Sequence, residues 1–189
     1  MVLDSFLCYF KKYNRILGEK MIEMKVMGIA LDTRTGSPIV VLNDKNNTRA
    51  LPIWIGSSEA SSIIRQIERI EVTRPMTHDL ICAILEETGY MLERVEIHDV
   101  SQDTYFANLL LVDDDGNEIV IDSRPSDAIA IALRTESPIY VTENVICDAT
   151  ISTNKSKEEQ ESQEFRDFIQ NLKPSDFKKF IDDNPESAQ

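Results

Sequence analysis

Twice in this chain a β-branched run, a tight-turn cluster and a returning apolar run lead into the start of an apolar helix. That arrangement restricts the fold to hairpin-paired strands with helices packed against them. The first instance runs from Pro38 to Leu42, turns through Asn43-Asp44-Lys45-Asn46-Asn47 and returns from Arg49 to Ile55. Asn and Asp favour such turns because their short side chains bond the nearby backbone. Gly56-Ser57-Ser58-Glu59 then opens a helix, with a Ser expected to cap the free amides and Glu59 in the positive first turn. Ile63, Ile64, Ile67 and Ile70 recur at helical spacing. In the second instance Tyr105 to Val112, the turn Asp113-Asp114-Asp115-Gly116-Asn117 and Ile119 to Asp122 lead into a helix through Ile129, Ile131 and Leu133. The identity between the two is too low to claim a duplication.

Further elements complete an α+β reading, a mixed or antiparallel sheet with three helices packed on it. Met24 to Leu31, Glu93 to Val100 and Pro138 to Val141 read as strands. Thr77 is the expected cap of a helix containing Leu80, Ile81, Ala83, Ile84 and Leu85, apolar nearly all round and so expected to be buried; Gly89 ends it. On the strand from Glu93, Val95 and Ile97 alternate with Glu96 and His98, which places His98 on the surface.

Three segments follow. Residues 1–23 read as an N-terminal extension, either poorly ordered or upstream of a start at Met21 or Met24, and residues 24–150 as the folded domain. In 151–189 an acidic linker leads to two short amphipathic helices, one bearing Phe165, Phe168, Ile169 and Leu172 and one bearing Phe177 and Phe180. A composition of 42% apolar and 28% charged residues argues against disorder of the chain as a whole. Cys8, Cys82 and Cys147 form no C-x-x-C pair, so a cytoplasmic, reducing compartment is expected, with no disulfide framework or zinc site. No run of about 18 apolar residues suggests a membrane span.

The net charge is −13, of which residues 21–150 carry −12 (ten basic against twenty-two acidic). That sign opposes bulk attraction to nucleic acid, whose binding draws on Lys and Arg neutralising phosphates. Any phosphate contact must be local or bridged by metal. P-loop, G-x-G-x-x-G, H-E-x-x-H and G-x-S-x-G patterns are all missing from the sequence, which removes the signatures of nucleotide-dependent, zinc-peptidase and serine-hydrolase chemistry.

The densest chemistry lies at Asp122-Ser123-Arg124-Pro125-Ser126-Asp127-Ala128. Pro125 fixes φ at a helix start, whose free amides attract anions, and Arg124 adds a guanidinium there. Asp122 and Asp127, with Glu59, are candidate ligands for Mg²⁺ or Mn²⁺. The bland alternative is a capped helix with Arg124 tied to one of these carboxylates. Arg74-Pro75-Met76-Thr77-His78-Asp79 is the second candidate, with Arg74 placed to meet phosphate and His78 able to exchange protons near neutral pH.

Taken together with Leu51-Pro52-Ile53-Trp54-Ile55-Gly56 and Glu59-Ala60, these motifs resemble the bifunctional nuclease family over residues 24–150. The resemblance implies an α+β domain and a nuclease acting on DNA, RNA or both. The mechanism assigned here is an inference from the residues. Asp122, Asp127 and Glu59 hold a divalent cation and no organic cofactor is needed; Arg124, Arg74 and Ser126 bind substrate; His78 assists proton transfer. A homo-oligomer is expected. The competing reading is a non-enzymatic regulatory module that binds a partner or a small anion at the Arg124 helix start.

Overall fold

In the computed structural model, which describes residues 20–151, seven strands form one mixed sheet in the order β3-β2-β1-β7-β4-β5-β6. Strands β1 (Met21–Leu31), β2 (Pro38–Asp44) and β3 (Ala50–Trp54) make one antiparallel meander, and β4 (Tyr90–Ser101), β5 (Thr104–Asp113) and β6 (Glu118–Ser123) make another. Strand β7 (Ile139–Thr142) joins the two, antiparallel to β1 and parallel to β4. Each meander is followed by a helix, α1 (Ser57–Ile67) after β3 and α3 (Pro125–Thr135) after β6, and these two helices pack on each other. Helix α2 (Thr77–Glu87) packs on α3 and β4, and α4 (Glu143–Ile151) on β4 and β7.

The hairpins form as the turn chemistry requires. Asp113 Oδ1 accepts the amides of Asp115 and Asn117, and Asp44 Oδ1 accepts those of Thr48 and Arg49. The main core gathers Val40, Leu42, Leu51 and Ile53 from the first meander, Val95, Ile97, Leu109 and Leu111 from the second, and Ile63, Ile64, Ile129 and Ile131 from the helices. Ala30, Ile39 and Val41 form a second, smaller buried cluster.

The α+β expectation holds, with four corrections. Strand β1 begins at Met21, where Met21–Met24 pair with β7, so residues 21–23 belong to the sheet. Helix α4 was not anticipated. Helix α2 buries none of its residues, and Leu80 and Ile84 face solvent at 54% and 52% exposure. Its apolar circumference exceeds the stripe that α3 and β4 can cover. His98, expected at the surface, is buried, together with Val95, Glu96 and Ile97, and a bulge between Ile97 and Asp99 breaks the alternation there. The first nineteen residues and the segment with the expected linker and two C-terminal helices lie outside the described residues.

Candidate active site

The N-terminal ends of α1 and α3 are brought together by the packing of those helices. Helix α3 starts as its sequence demands. Arg124 is the extended N-cap residue, Pro125 occupies the first turn, and the Ala128 amide bonds the Arg124 carbonyl at 3.0 Å. Helix α1 starts from Gly56, without a serine cap, and the Ala60 amide reaches the Gly56 carbonyl at 2.9 Å. Counted from those caps, Glu59 and Asp127 occupy the same third position of their helices, where an acid meets the positive end of the helix dipole.

Arg124 stands between these two acids. Its Nε donates to Asp127 Oδ2 at 2.7 Å and its Nη2 to Asp127 Oδ1 at 3.0 Å, a two-pronged clamp, while Nη1 lies 3.0 Å from Glu59 Oε1. The Arg124 side chain is nonetheless 65% exposed. Asp127 takes the Nε hydrogen and one from Nη2, and Glu59 one from Nη1. One hydrogen on each Nη is left for a ligand.

From Asp127 the network runs inward. His78, near the start of α2, places Nε2 3.1 Å from Asp127 Oδ1 and Nδ1 2.9 Å from Ser62 Oγ of α1. Arg134, in the last turn of α3, donates from Nη2 to Ser62 Oγ at 3.2 Å and from Nε to Asp79 Oδ1 at 2.6 Å. When the imidazole is neutral, these partners select its tautomer. An ionised Asp127 only accepts, so Nε2 carries the hydrogen; Arg134 only donates, so the Ser62 hydroxyl is free to give its hydrogen to Nδ1. Asp79 also accepts the Met76 amide at 2.8 Å, so the cap of α2 falls on Met76 and its acid partner, and Thr77 is the first helical residue.

The acids respond to this setting. Burial opposes ionisation of Asp127, yet hydrogen bonds from Arg124 and His78 outweigh it and hold the carboxyl below its usual range. Asp79 behaves alike: burial opposes, Arg134 and the Met76 amide prevail, and the carboxyl titrates low. Arg124 is raised above its usual value, chiefly by the hydrogen bond to Asp127.

The structure thus brings together Glu59, His78, Arg124 and Asp127. Asp122 is not among them. It pairs with Asn108, whereas the core residues Ala107 and Leu109 pair with Ser123 and Ile121, so Asp122 projects from the opposite face of the sheet. Ser126 is buried at 7% exposure, and Arg74 is exposed with no bond to the cluster. The expected cation ligands therefore do not fit a resident metal. Asp122 is remote, both Asp127 oxygens accept from Arg124, and Glu59 faces the same guanidinium. Among the described residues no three His, Cys, Asp or Glu side chains are grouped to hold one. No described helix is long and apolar enough to cross a membrane.

Ser62, Arg134 and the bond from Asp79 to Arg134 were not foreseen. Two signals existed: Asp127 and Arg134 are seven residues apart, two turns along one helical face, and Ser61-Ser62 directly precedes Ile63-Ile64 and is buried with them.

Residues 40–154 match the family model described as bifunctional nuclease domain. An uncharacterized protein of Mycobacterium tuberculosis is 37% identical over 166 residues, covering 84% of this chain and 99% of the relative. Bifunctional nuclease 2 of Oryza sativa subsp. japonica is 32% identical over 107 residues, or 55% of this chain and 33% of that protein. Bifunctional nuclease 2 of Arabidopsis thaliana is 29% identical over 107 residues, or 56% of this chain and 32% of that protein. The match thus spans about a third of each of these plant proteins.

Proposed function

The chain belongs to the bifunctional nuclease domain family, and from that premise we propose that it hydrolyses phosphodiester bonds of DNA or RNA at the cluster around Arg124. The observation that carries the reading is the exposed Arg124 guanidinium, oriented by Asp127 and keeping one hydrogen on each Nη. Paired N–H donors in that plane match two non-bridging phosphate oxygens and stabilise charge gathering on them during displacement. His78 is the group suited to moving a proton, because imidazole titrates near neutrality and its Nε2 already points into the cluster at Asp127. Asp127 acts by orienting both. The plant relatives named as nucleases support this reading through shared ancestry of the domain.

The test is a nuclease assay on single- and double-stranded DNA and RNA, run with Mg²⁺, with Mn²⁺ and with chelator. Arg124→Gln and His78→Gln should each lower the rate by two orders of magnitude or more. Full activity in both variants would sink the assignment, and equal activity in every preparation would identify a contaminant.

A second reading, a non-enzymatic module that binds a small anion or a partner at the start of α3, is favoured by one feature. Each charged group of the cluster is already satisfied by another, as in a structural ion-pair network. Anion binding at Arg124 without turnover in any of the assay conditions would select it.

A further inference from the structure

Glu59 and Asp127 both hold Arg124, but they are held differently themselves. Asp127 lies on Arg124's own helix, accepts two bonds from it and a third from His78. Glu59 reaches across from α1 and meets Arg124 through a single oxygen at 3.0 Å. The carboxylate folds back over the Gly56 backbone, where a Cβ would run into Glu59 Oε2, the movable end of that side chain. The Gly56 backbone (φ −78, ψ 161) is one that any residue adopts. Glycine leaves the space that Glu59 Oε2 occupies, and a larger residue would push that carboxylate aside.

Charge makes the consequence plain. One guanidinium is shared between two carboxylates, so an arriving phosphodiester competes with two acids for Arg124. The Arg134–Asp79 pair further in balances itself. The hydrogens left on Nη1 and Nη2 can meet an anion with both acids in place, but the contact strengthens when one acid departs, and the acid with the fewest bonds is Glu59.

We infer that Glu59 is a built-in occupant of an anion site at Arg124, seated over Gly56, with which a substrate phosphate competes for the guanidinium. The inference rests on the reading of Arg124 as the phosphate-binding group and deepens it. Glu59 acts as a competitor for the guanidinium, so removing it strengthens binding, whereas a merely structural role would leave binding unchanged or weaker.

The experiment measures binding of inorganic phosphate, and of a dinucleotide with a single phosphodiester, to the full chain at low ionic strength. Backbone amide signals of Arg124 and of residues 126–128 report occupancy by NMR, Pro125 having no amide hydrogen. Glu59→Gln removes the charge and keeps the shape, and should tighten binding on the order of tenfold. Gly56→Ala displaces the carboxylate without removing it and should tighten binding by a smaller factor, with the fold checked by circular dichroism. Arg124→Gln should abolish binding in either background. Glu59→Gln that binds no tighter than the parent overturns the inference, as does the absence of phosphate binding in all variants. Tighter binding in Glu59→Gln without nuclease activity in any form upholds the anion site and removes the hydrolytic reading instead.

Discussion

Helix α3 carries an arginine at each end, and both hold carboxylates, yet their surroundings differ. The Arg134 side chain is 8% exposed; it bonds Asp79, Ser62 and the Ala130 carbonyl, tying α3 to α1 and α2. The Arg124 side chain is 65% exposed and bonds only the two acids. The same guanidinium–carboxylate chemistry is therefore a fastener at one end and a presented surface at the other. Removing water strengthens the attraction and raises the penalty for losing a partner; leaving water in place keeps the pair weak and exchangeable.

The largest effect should come from breaking the inner pair. Arg134→Ala strips Asp79 and Ser62 of a donor and is expected to cost about 3 kcal/mol, a fall in Tm of roughly 10 °C by calorimetry. Asp79→Ala should cost less, because its side chain is 30% exposed and the Arg134 left behind keeps two other acceptors. The double variant should show a coupling of about 1–2 kcal/mol between the two positions. Equal losses from Arg134→Ala and Arg124→Ala would break the comparison.

The pH dependence of stability sharpens it. Asp79 and Asp127 titrate below their usual range in the folded state. A carboxyl lowered by folding contributes stability that is present above its unfolded pKa, about 4, and is lost as pH falls through the lower folded value. Urea unfolding followed from pH 5 to pH 2 should therefore show stability declining below about pH 4. In Arg134→Ala the Asp79 part of that decline should shrink to what the Met76 amide supports, giving a shallower acid limb. A limb of unchanged slope would mean that Arg134 does not hold Asp79 ionised.

Much of the sheet was legible in the sequence, because its turns are written in residues with one strong local preference. Asp44 and Asp113 bond the amides ahead of them in both hairpins, and Gly89 takes the positive φ of 74 that closes α2. What misled was the assumption that each strand has one dry and one wet face. His98 lies at a bulge in a stretch of β4 buried on both faces, so alternation carried no information about its exposure. Asp122 was misplaced for the converse reason. Alternation along β6 already put Ile119 and Ile121 in one phase and Asp122 in the other, yet adjacency to Arg124 suggested a shared site. The Glu59–Arg124 contact spans sixty-five positions, Glu59 to Arg124. Its clue was the acid-Ala pair that opens both α1 and α3, whose meeting depends on how those helices pack.

The smallest effect is the most discriminating one, since it isolates solvent. Arg124→Gln should lower stability by less than about 1 kcal/mol at low salt, the usual value of an exposed pair. At 1 M salt the screening length falls to about 3 Å, comparable to the pair's own separation, so that loss should shrink toward zero. The Arg134→Ala loss should largely persist at the same salt concentration, because the Arg134 guanidinium is only 8% exposed and its removal takes a donor from both Asp79 and Ser62. Denaturation in NaCl, in preference to guanidinium, keeps the salt variable separate. A salt-resistant loss at Arg124 would show that the outer clamp is shielded from water like the inner one, leaving no reason for a phosphate to reach it.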